Sequence, residues 1–248
     1  MNASVNVSAL RRAPSSAVEL YARPSPDYAA KLAQARLVLR EAEQLGAVTQ
    51  ASSLGVEDMV ITHLINALQL AIPVFVLDTG RLHTETLALL ERLQAHSRTP
   101  VHVYRPQPEA VLGYIRAHGQ DALYQSIALR KQCCAIRKLE PLARALEGKA
   151  GWISGLRREQ SGARAQVPTV DRSEARVKFN PLADWTQGDV WHYVVEHRVD
   201  TNPLHDQFYP SIGCAPCTRA ITVGEDIRAG RWWWEDESAK ECGLHVKK

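Results

Sequence analysis

Short apolar runs alternate with longer amphipathic segments along most of this chain, and this alternation limits the possible folds more than any other feature. Runs typical of buried strands occur at 47–53, 73–77, 101–104, 151–154 and 177–180. Apolar residues at helical spacing predict helices at 27–45, 59–70, 83–95, 108–117, 133–147 and 187–197. Strands separated by helices predict an α/β fold, a mostly parallel sheet with helices on both faces.

The length of 248 residues suits one large α/β domain with additions at its ends. Three prolines and no clear periodicity predict a poorly ordered lead over residues 1–26. A single domain then extends over 27–231 and carries the sites discussed below. The residues at 232–248 are expected to form a C-terminal tail.

Composition narrows the function classes. Hydrophobic residues make up 45% and charged residues 23%, which is typical of a soluble globular protein. The formal net charge of +3 is too small to predict a nucleic-acid partner, but it allows a local basic pocket for an anion. No segment resembles a membrane span, and the first residues lack the apolar core of a signal peptide. We therefore expect a cytoplasmic protein, and a homo-oligomer is compatible with its sequence.

Three loops follow predicted strands at the edge of the sheet where α/β proteins bind ligands, at 52–58, 78–83 and 155–164. The first contains Ser52, Ser53 and Gly55 and leads into a helix, whose N-terminal N–H groups suit an anion. It lacks both common glycine-rich phosphate motifs, so a plain turn explains its composition equally well. The third loop contains Arg157 and Arg158, whose planar forks suit phosphate or sulfate, although a solvated loop is an equal alternative.

The chain has five cysteines, and an odd number argues against a disulfide framework. Cys133 and Cys134 are adjacent, while Cys214 and Cys217 have the C-x-x-C spacing common among metal ligands. Four thiolates suit either zinc or an iron–sulfur cluster. Two alternatives stay open, buried structural cysteines and a redox dithiol at 214–217.

Basic residues accompany the cysteines. Lys138 follows Cys134 by one helical turn, so it shares a helix face with that cysteine if the segment is α-helical. The fifth cysteine, Cys242, stands near the C-terminus and is followed by His245. Cationic neighbours lower the pKa of a thiol and favour the nucleophilic thiolate. A surface lysine and an exposed tail thiol are the simpler interpretations.

Taken together, these motifs resemble those of the assimilatory adenylyl-sulfate (adenosine 5′-phosphosulfate, APS) reductases, over roughly residues 47–245. The similar segments are 52–58, 77–80, 133–138, 152–158, 214–217 and 241–245. The resemblance implies an adenine-nucleotide α-hydrolase-like fold. It also implies a [4Fe–4S] cluster on Cys133, Cys134, Cys214 and Cys217 and a nucleophile at Cys242.

The resemblance further implies substrate contacts from basic residues and from the loop at Ser52, Ser53 and Gly55. The basic positions are Lys138, Arg157 or Arg158, Arg228, Arg231 and His245. The expected reaction reduces APS to sulfite and AMP through an S-sulfocysteine, in sulfate assimilation and cysteine biosynthesis. The expected electron donor is thioredoxin or a glutaredoxin-like dithiol.

Three alternatives to this function remain at this point. The related reductases of 3′-phosphoadenosine 5′-phosphosulfate (PAPS) lack the four cluster cysteines, so their presence favours APS, but a PAPS or dual reductase stays open. A tRNA-thiolating ATP pyrophosphatase would need paired glycines in the loop at 52–58, which are absent. A metal-binding redox sensor would need no adenylate site, and nucleotide affinity would separate it from an enzyme.

Overall fold

A computed structural model of the chain describes Val18, residues 21–222 and residues 224–235. Within this part, six strands form one sheet in the order β3-β2-β1-β4-β6-β5. The strands are β1 Val48–Ser52, β2 Val74–Leu77, β3 Val101–Tyr104, β4 Gly151–Ile153, β5 Val170–Asp171 and β6 Val177–Phe179. The helices are α1 Tyr28–Gln44, α2 Val56–Ala67, α3 Thr84–His96, α4 Pro108–His118, α5 Ile127–Cys134, α6 Glu140–Ala145 and α7 Gln187–His197.

The sheet is parallel except at one edge. β1 pairs in parallel with β2 and β4, and β2 with β3, while β4 pairs in parallel with β6. Only β5, which the sequence pattern did not predict, runs antiparallel beside β6. It has two residues, too few to show a periodic pattern. The chain order and the sheet order together place the loops after β1, β2 and β4 at one edge.

Helices cover both faces of the sheet, as expected. On β2, Val76 belongs to the large core that α1, α2, α3 and α7 form, because alternate side chains of a strand point to opposite faces. Phe75 points the other way and packs with Trp152, Ala145 and Leu146. The two cores enclose the strands and hold the carboxyl ends of β1, β2 and β4 in fixed positions.

Two predicted helices have different bounds in the structure. The helix predicted at 59–70 begins at Val56, immediately after the extended residue Gly55, so part of the predicted loop is its first turn. The helix predicted at 133–147 is not one α-helix. It consists of the end of α5, a π-helical turn at Ala135–Leu139 and the short α6. Pro141 lies in the first turn of α6 and has no N–H with which to continue the α-helical ladder.

Side-chain caps fix where two of these helices begin. The Thr186 hydroxyl accepts a hydrogen bond from Asp189 N, and the Asp189 carboxylate accepts one from Thr186 N, which completes a capping box at α7. The predicted cap at Thr186 is therefore confirmed. Ser126 caps α5 by accepting from Leu129 N at 3.2 Å. The position of this cap sets where α5 begins, and α5 carries Cys133 and Cys134 at its other end.

The N-terminal lead and the C-terminal tail, which the sequence places on either side of the domain, both contain residues that contact it. In the N-terminal lead, Ser25 donates from its backbone and its hydroxyl to Asp189, at 2.6 and 2.8 Å. In the predicted tail, Trp232 is buried beside Cys214 and Cys217. The division into lead, domain and tail stays a prediction, since most of both end segments lies outside the described residues. Among the described helices, none is long and apolar enough to cross a membrane.

Candidate active site

A cavity of about 230 Å³ opens at the carboxyl ends of β1, β2 and β4. Its walls come from the loops after these strands, from the π-helical turn and from two later segments, at 205–214 and 227–232. The predicted site residues on its surface are Ser52, Ser53, Gly55, Lys138, Arg157, Cys214, Arg228 and Arg231. The fold therefore brings together residues from both halves of the sequence in one place.

The loop after β1 is held by a buried carboxylate. Asp58 accepts hydrogen bonds from Ser53 N and from the Ser53 hydroxyl, both at 2.7 Å. Leu54 lies in the left-handed region at φ 61°, and its N–H donates to the Ser52 hydroxyl. Burial raises the pKa of the Asp58 carboxyl to about 6, although the Ser53 donors oppose that shift. The loop is thus a rigid turn whose charge depends on pH.

Arg157 is fixed at the rim of this loop by acidic partners. Its guanidinium donates to Glu57 at 3.0 Å, to Glu159 at 2.8 Å and to the Trp185 carbonyl at 3.2 Å. Burial raises the pKa of Glu57, but the Arg157 charge and the hydrogen bonds that Glu57 accepts together outweigh it and hold that pKa below its usual value. Arg157 therefore lines the cavity with most of its donors already engaged.

Arg158, the other predicted nucleotide contact, points elsewhere. Its side chain pairs with Asp184 and donates to the Val167 carbonyl at 2.8 Å. It is absent from the cavity wall, while Arg164, six residues further on, is part of that wall. Of the three arginines in this loop, the structure brings Arg157 and Arg164 to the cavity and leaves Arg158 on the surface.

A second group of cations on the cavity wall comes from other segments of the chain. Lys138, Arg228 and Arg231 all line it. Arg231 is only 8% exposed, and its guanidinium carbon lies 4.7 Å from the centre of the Trp232 ring. Within the part of the chain that the structure describes, its guanidinium donates two long hydrogen bonds, to the Ile212 carbonyl at 3.3 Å and the Ser211 hydroxyl at 3.4 Å. A buried cation with few protein acceptors suits an anionic ligand.

Two further residues of this region were missed by sequence reasoning. Arg137 is buried, donates to the Thr79 carbonyl at 2.7 Å, and opposes the effect of burial on the pKa of Cys133. His205 lines the cavity, where its Nε2 is buried without a hydrogen-bond partner among the described residues. Its Nδ1 lies 2.9 Å from the Tyr209 carbonyl, and burial lowers its pKa. In the sequence, the pair of basic residues at 137–138 was the one signal for Arg137. No sequence signal pointed to His205.

The four predicted ligand cysteines lie on two segments that meet beside the cavity. Cys214 and Cys217 are buried with Leu123 and Trp232, and Cys133 and Cys134 are half-buried free thiols. Burial and, to a smaller extent, the nearby Cys214 and Cys134 raise the pKa of Cys217 to about 12, against the opposing charges of Lys138 and Arg231. A redox dithiol needs a lowered thiol pKa, so these surroundings disfavour that alternative.

The chemistry of the donor set fits an iron–sulfur cluster. Within residues 21–222 and 224–235, no group of three or more His, Cys, Asp or Glu side chains is close enough to hold one metal ion. A [4Fe–4S] core is held through four separate irons, so its four thiolates stand further apart than the ligands of one zinc ion. Four soft thiolates in an apolar pocket with adjacent cations have the chemistry such a cluster requires.

The predicted nucleophile Cys242 and the predicted His245 lie outside the described residues. The last described residues, 231–235, pass directly beside the cavity and the cysteines.

Comparison with known proteins decides the family. A family model described as the phosphoadenosine phosphosulfate reductase domain matches residues 47–220. The chain belongs to this family. Relatives named adenosine 5′-phosphosulfate reductase are about half identical to it. One from Allochromatium vinosum is 52% identical over 214 residues, which are 86% of this chain and 84% of that protein. One from Burkholderia cepacia is 49% identical over 225 residues, or 90% of each chain.

Solved structures agree with the fold of the family. A phosphoadenylyl-sulfate reductase from Candida auris, in a phosphate complex, superposes with a TM-score of 0.63 at 26% identity. The match covers 73% of this chain and 88% of that one. Yeast FAD synthetase in complex with FAD has a TM-score of 0.54 at 11% identity, covering 82% and 72% of the chains, and shows the fold alone. The expected α/β fold and the expected membership in this reductase family are confirmed, whereas the individual site residues stay predictions.

Proposed function

We propose that this chain reduces adenosine 5′-phosphosulfate to sulfite and AMP with electrons from a thioredoxin-type dithiol. The observation that carries the proposal is one cavity lined by the loop after β1, by Lys138, Arg228 and Arg231, and by Cys214. Several cations on one wall suit a nucleotide with a phosphosulfate group, which carries more than one negative charge. The relatives named above act on this substrate by name, and they cover most of this chain.

The proposed reaction has two nucleophilic steps at sulfur. The Cys242 thiolate attacks the sulfuryl group of the substrate, so a sulfur–sulfur bond forms while the sulfur–oxygen bond to the phosphate breaks and AMP leaves. A thiolate of the donor dithiol then attacks the Cys242 sulfur and releases sulfite. The second donor thiol displaces Cys242 and closes a disulfide. The dithiol supplies both electrons of the reduction.

The first step brings together two anions, so fixed positive charge must offset their repulsion. Lys138, Arg228 and Arg231 supply it at the cavity wall. Burial of Arg231 strengthens its interaction with the sulfuryl oxygens, because less water screens its charge. We assign to His245 a basic role beside the same group. Arg157 orders the rim through Glu57 and Glu159.

In this proposal Cys133, Cys134, Cys214 and Cys217 hold a [4Fe–4S] cluster. Bound there, the cluster would fix the two cysteine-bearing segments against each other and add negative charge next to the site. Arg137 and Lys138 offset that charge from the π-helical turn. Neither chemical step requires electrons from a metal, since the dithiol supplies both.

Reduction of PAPS is a second candidate, because the Candida auris structure that shares this fold is named for that substrate. Its identity of 26% is half that of the relatives named for APS, which favours APS for this chain. We propose that the reaction takes place in the cytoplasm, where thioredoxin and cysteine thiols are kept reduced, as part of sulfate assimilation and cysteine biosynthesis.

The decisive experiment measures sulfite release from APS and, separately, from PAPS, with thioredoxin and anaerobically purified protein. We expect sulfite from APS and little from PAPS. Cys242→Ser should abolish release while iron content and the brown chromophore persist, and wild-type protein without thioredoxin should accumulate the S-sulfo form, seen by mass spectrometry. Equal rates with PAPS would make the chain a dual reductase. No sulfite from either substrate, with the chromophore intact, would refute the proposal.

A further inference from the structure

A buried ion pair joins two segments that are far apart in the sequence. Arg130, in α5, donates from Nε and Nη2 to the two carboxylate oxygens of Glu235, at 2.9 and 2.6 Å. Both side chains are only 2% exposed. This two-pronged geometry fixes direction as well as distance, because both bonds must align at once. Glu235 is the last residue that the structure describes, and the segment with Cys242 follows it in the sequence.

The pair is part of a junction between three segments. The Trp232 ring lies between the guanidinium of Arg130, at 4.9 Å, and that of Arg231, at 4.7 Å. Trp232 N donates to the Cys217 carbonyl at 3.2 Å. The helix with Cys133 and Cys134, the turn with Cys214 and Cys217, and residues 231–235 therefore meet at one point. A cavity-lining cation, Arg231, belongs to that junction.

A purely stabilising role does not explain this arrangement well. Removing two charges from water is costly, and an apolar pair of similar volume often stabilises a protein as much or more. What a buried two-pronged pair provides is one defined orientation of the chain. Here it fixes the orientation of Glu235, seven residues before Cys242 in the sequence.

We infer that Arg130 and Glu235 are positioning residues that hold the start of the C-terminal segment so that Cys242 reaches the substrate in the cavity. The inference rests on the proposed function. Cys242 follows Glu235 by seven residues, which span at most about 25 Å when fully extended. With the pair broken, the next hydrogen-bonded anchor is Trp232, whose N–H donates to the Cys217 carbonyl. The maximal reach then grows to about 36 Å, and the effective concentration of Cys242 at the cavity falls about twofold.

The test variant is Glu235→Gln, which keeps the side-chain volume and removes the charge. The matched control is Glu225→Gln, because Glu225 forms a comparable pair with Arg219 that is half-exposed and lies outside this junction. We expect the Glu235→Gln variant to lose about tenfold in kcat and in the single-turnover rate of S-sulfocysteine formation. Chain reach accounts for about twofold of this loss, and misorientation of residues 233–235, which the pair with Arg130 aligns, accounts for the rest. KM, AMP affinity and iron content should stay within twofold of wild type, as should all values for the control.

Rescue separates positioning from simple stability. Glu235→Asp keeps the charge and should recover part of the lost kcat, and it also serves if the first variant does not fold. Trypsin should cleave at Lys240 faster in Glu235→Gln than in wild type. Unchanged kcat would overturn the inference, as would a parallel fall of kcat, AMP affinity, iron content and melting temperature. The proposed function is tested separately, by sulfite release from the wild-type protein. If the wild type makes no sulfite, the proposed function is overturned.

Discussion

A single methyl group placed at Gly213 should lower kcat/KM for APS without unfolding the protein. A Cβ added there would lie 2.5 Å from Nη2 of Arg231, 2.7 Å from Cζ and 3.2 Å from Nε. These distances are too short for contact, so the guanidinium must move. It is the end of a flexible side chain, and Gly213 is not among the glycines with positive φ, so the backbone accepts alanine.

The magnitude follows from what Arg231 does in the proposed reaction. A hydrogen bond to a charged group contributes about 1.5–3 kcal/mol. If the Gly213→Ala variant moves the guanidinium out of reach of the sulfuryl oxygens, kcat/KM should fall roughly 10- to 150-fold. Arg231→Ala, which deletes the group, should lose at least as much. Stability should change little, since the new methyl displaces a side-chain end rather than the backbone.

The assay is sulfite release from APS over a range of substrate concentrations, with thermal unfolding of the same samples. Gly162→Ala is the matched control, because a Cβ there meets nothing within 4 Å and its loop adjoins the same cavity. The control should keep wild-type kcat/KM and melting temperature. Full activity of Gly213→Ala, combined with loss of activity in Arg231→Ala, would refute the reasoning, since it would show that the guanidinium works equally well from another position.

Three further predictions concern stability, pH and metal content. Thr186→Ala removes the cap of α7 and should lower the free energy of unfolding by about 1 kcal/mol, measured by denaturant titration. The pKa of Asp58 is about 6 in the folded chain against 3.8 in the reference state, so folding favours its protonated form. Its contribution to stability is therefore complete below pH 3.8 and is lost as pH rises through 6, a difference of ~3 kcal/mol that Asp58→Asn should remove. Cys217→Ser should lose iron and the brown chromophore but still bind AMP, because Cys217 does not line the cavity.

Each of these has a result that contradicts it. Unchanged unfolding in Thr186→Ala would mean that the capping box contributes nothing measurable. The same pH profile in Asp58→Asn and wild type between pH 4 and 6.5 would show that Asp58 does not titrate in that window. Full iron content in Cys217→Ser would remove this residue from the proposed ligand set.

The sequence pattern predicted the fold class and most elements because burial leaves a periodic trace in the residues themselves. β3 and α4 lie within one residue of the predicted bounds. The pattern failed where the trace was too short or was interrupted. β5 has two residues, and the segment predicted as one helix at 133–147 contains a π-helical turn before Pro141.

For the site, the residue types could be read from the sequence but their relations could not. The three arginines between 157 and 164 have the same chemistry and nearly the same position in the chain. Arg157 is held by Glu57, from 100 positions away, while Arg158 pairs with Asp184 on the surface. Which arginine reaches the cavity is decided by partners that come close only when the sheet forms.

By itself, the sequence determined the alternation of strands and helices, four cysteines with spacing suited to a metal or cluster, and a group of arginines suited to an anion. These are local properties of composition and spacing. Only the tertiary structure decided that Gly213 leaves room for Arg231 and that Arg130 meets Glu235 across 105 positions. The physical reason is that packing and charge pairing depend on distance in space, which the order of strands in the sheet fixes and the order of residues in the chain does not.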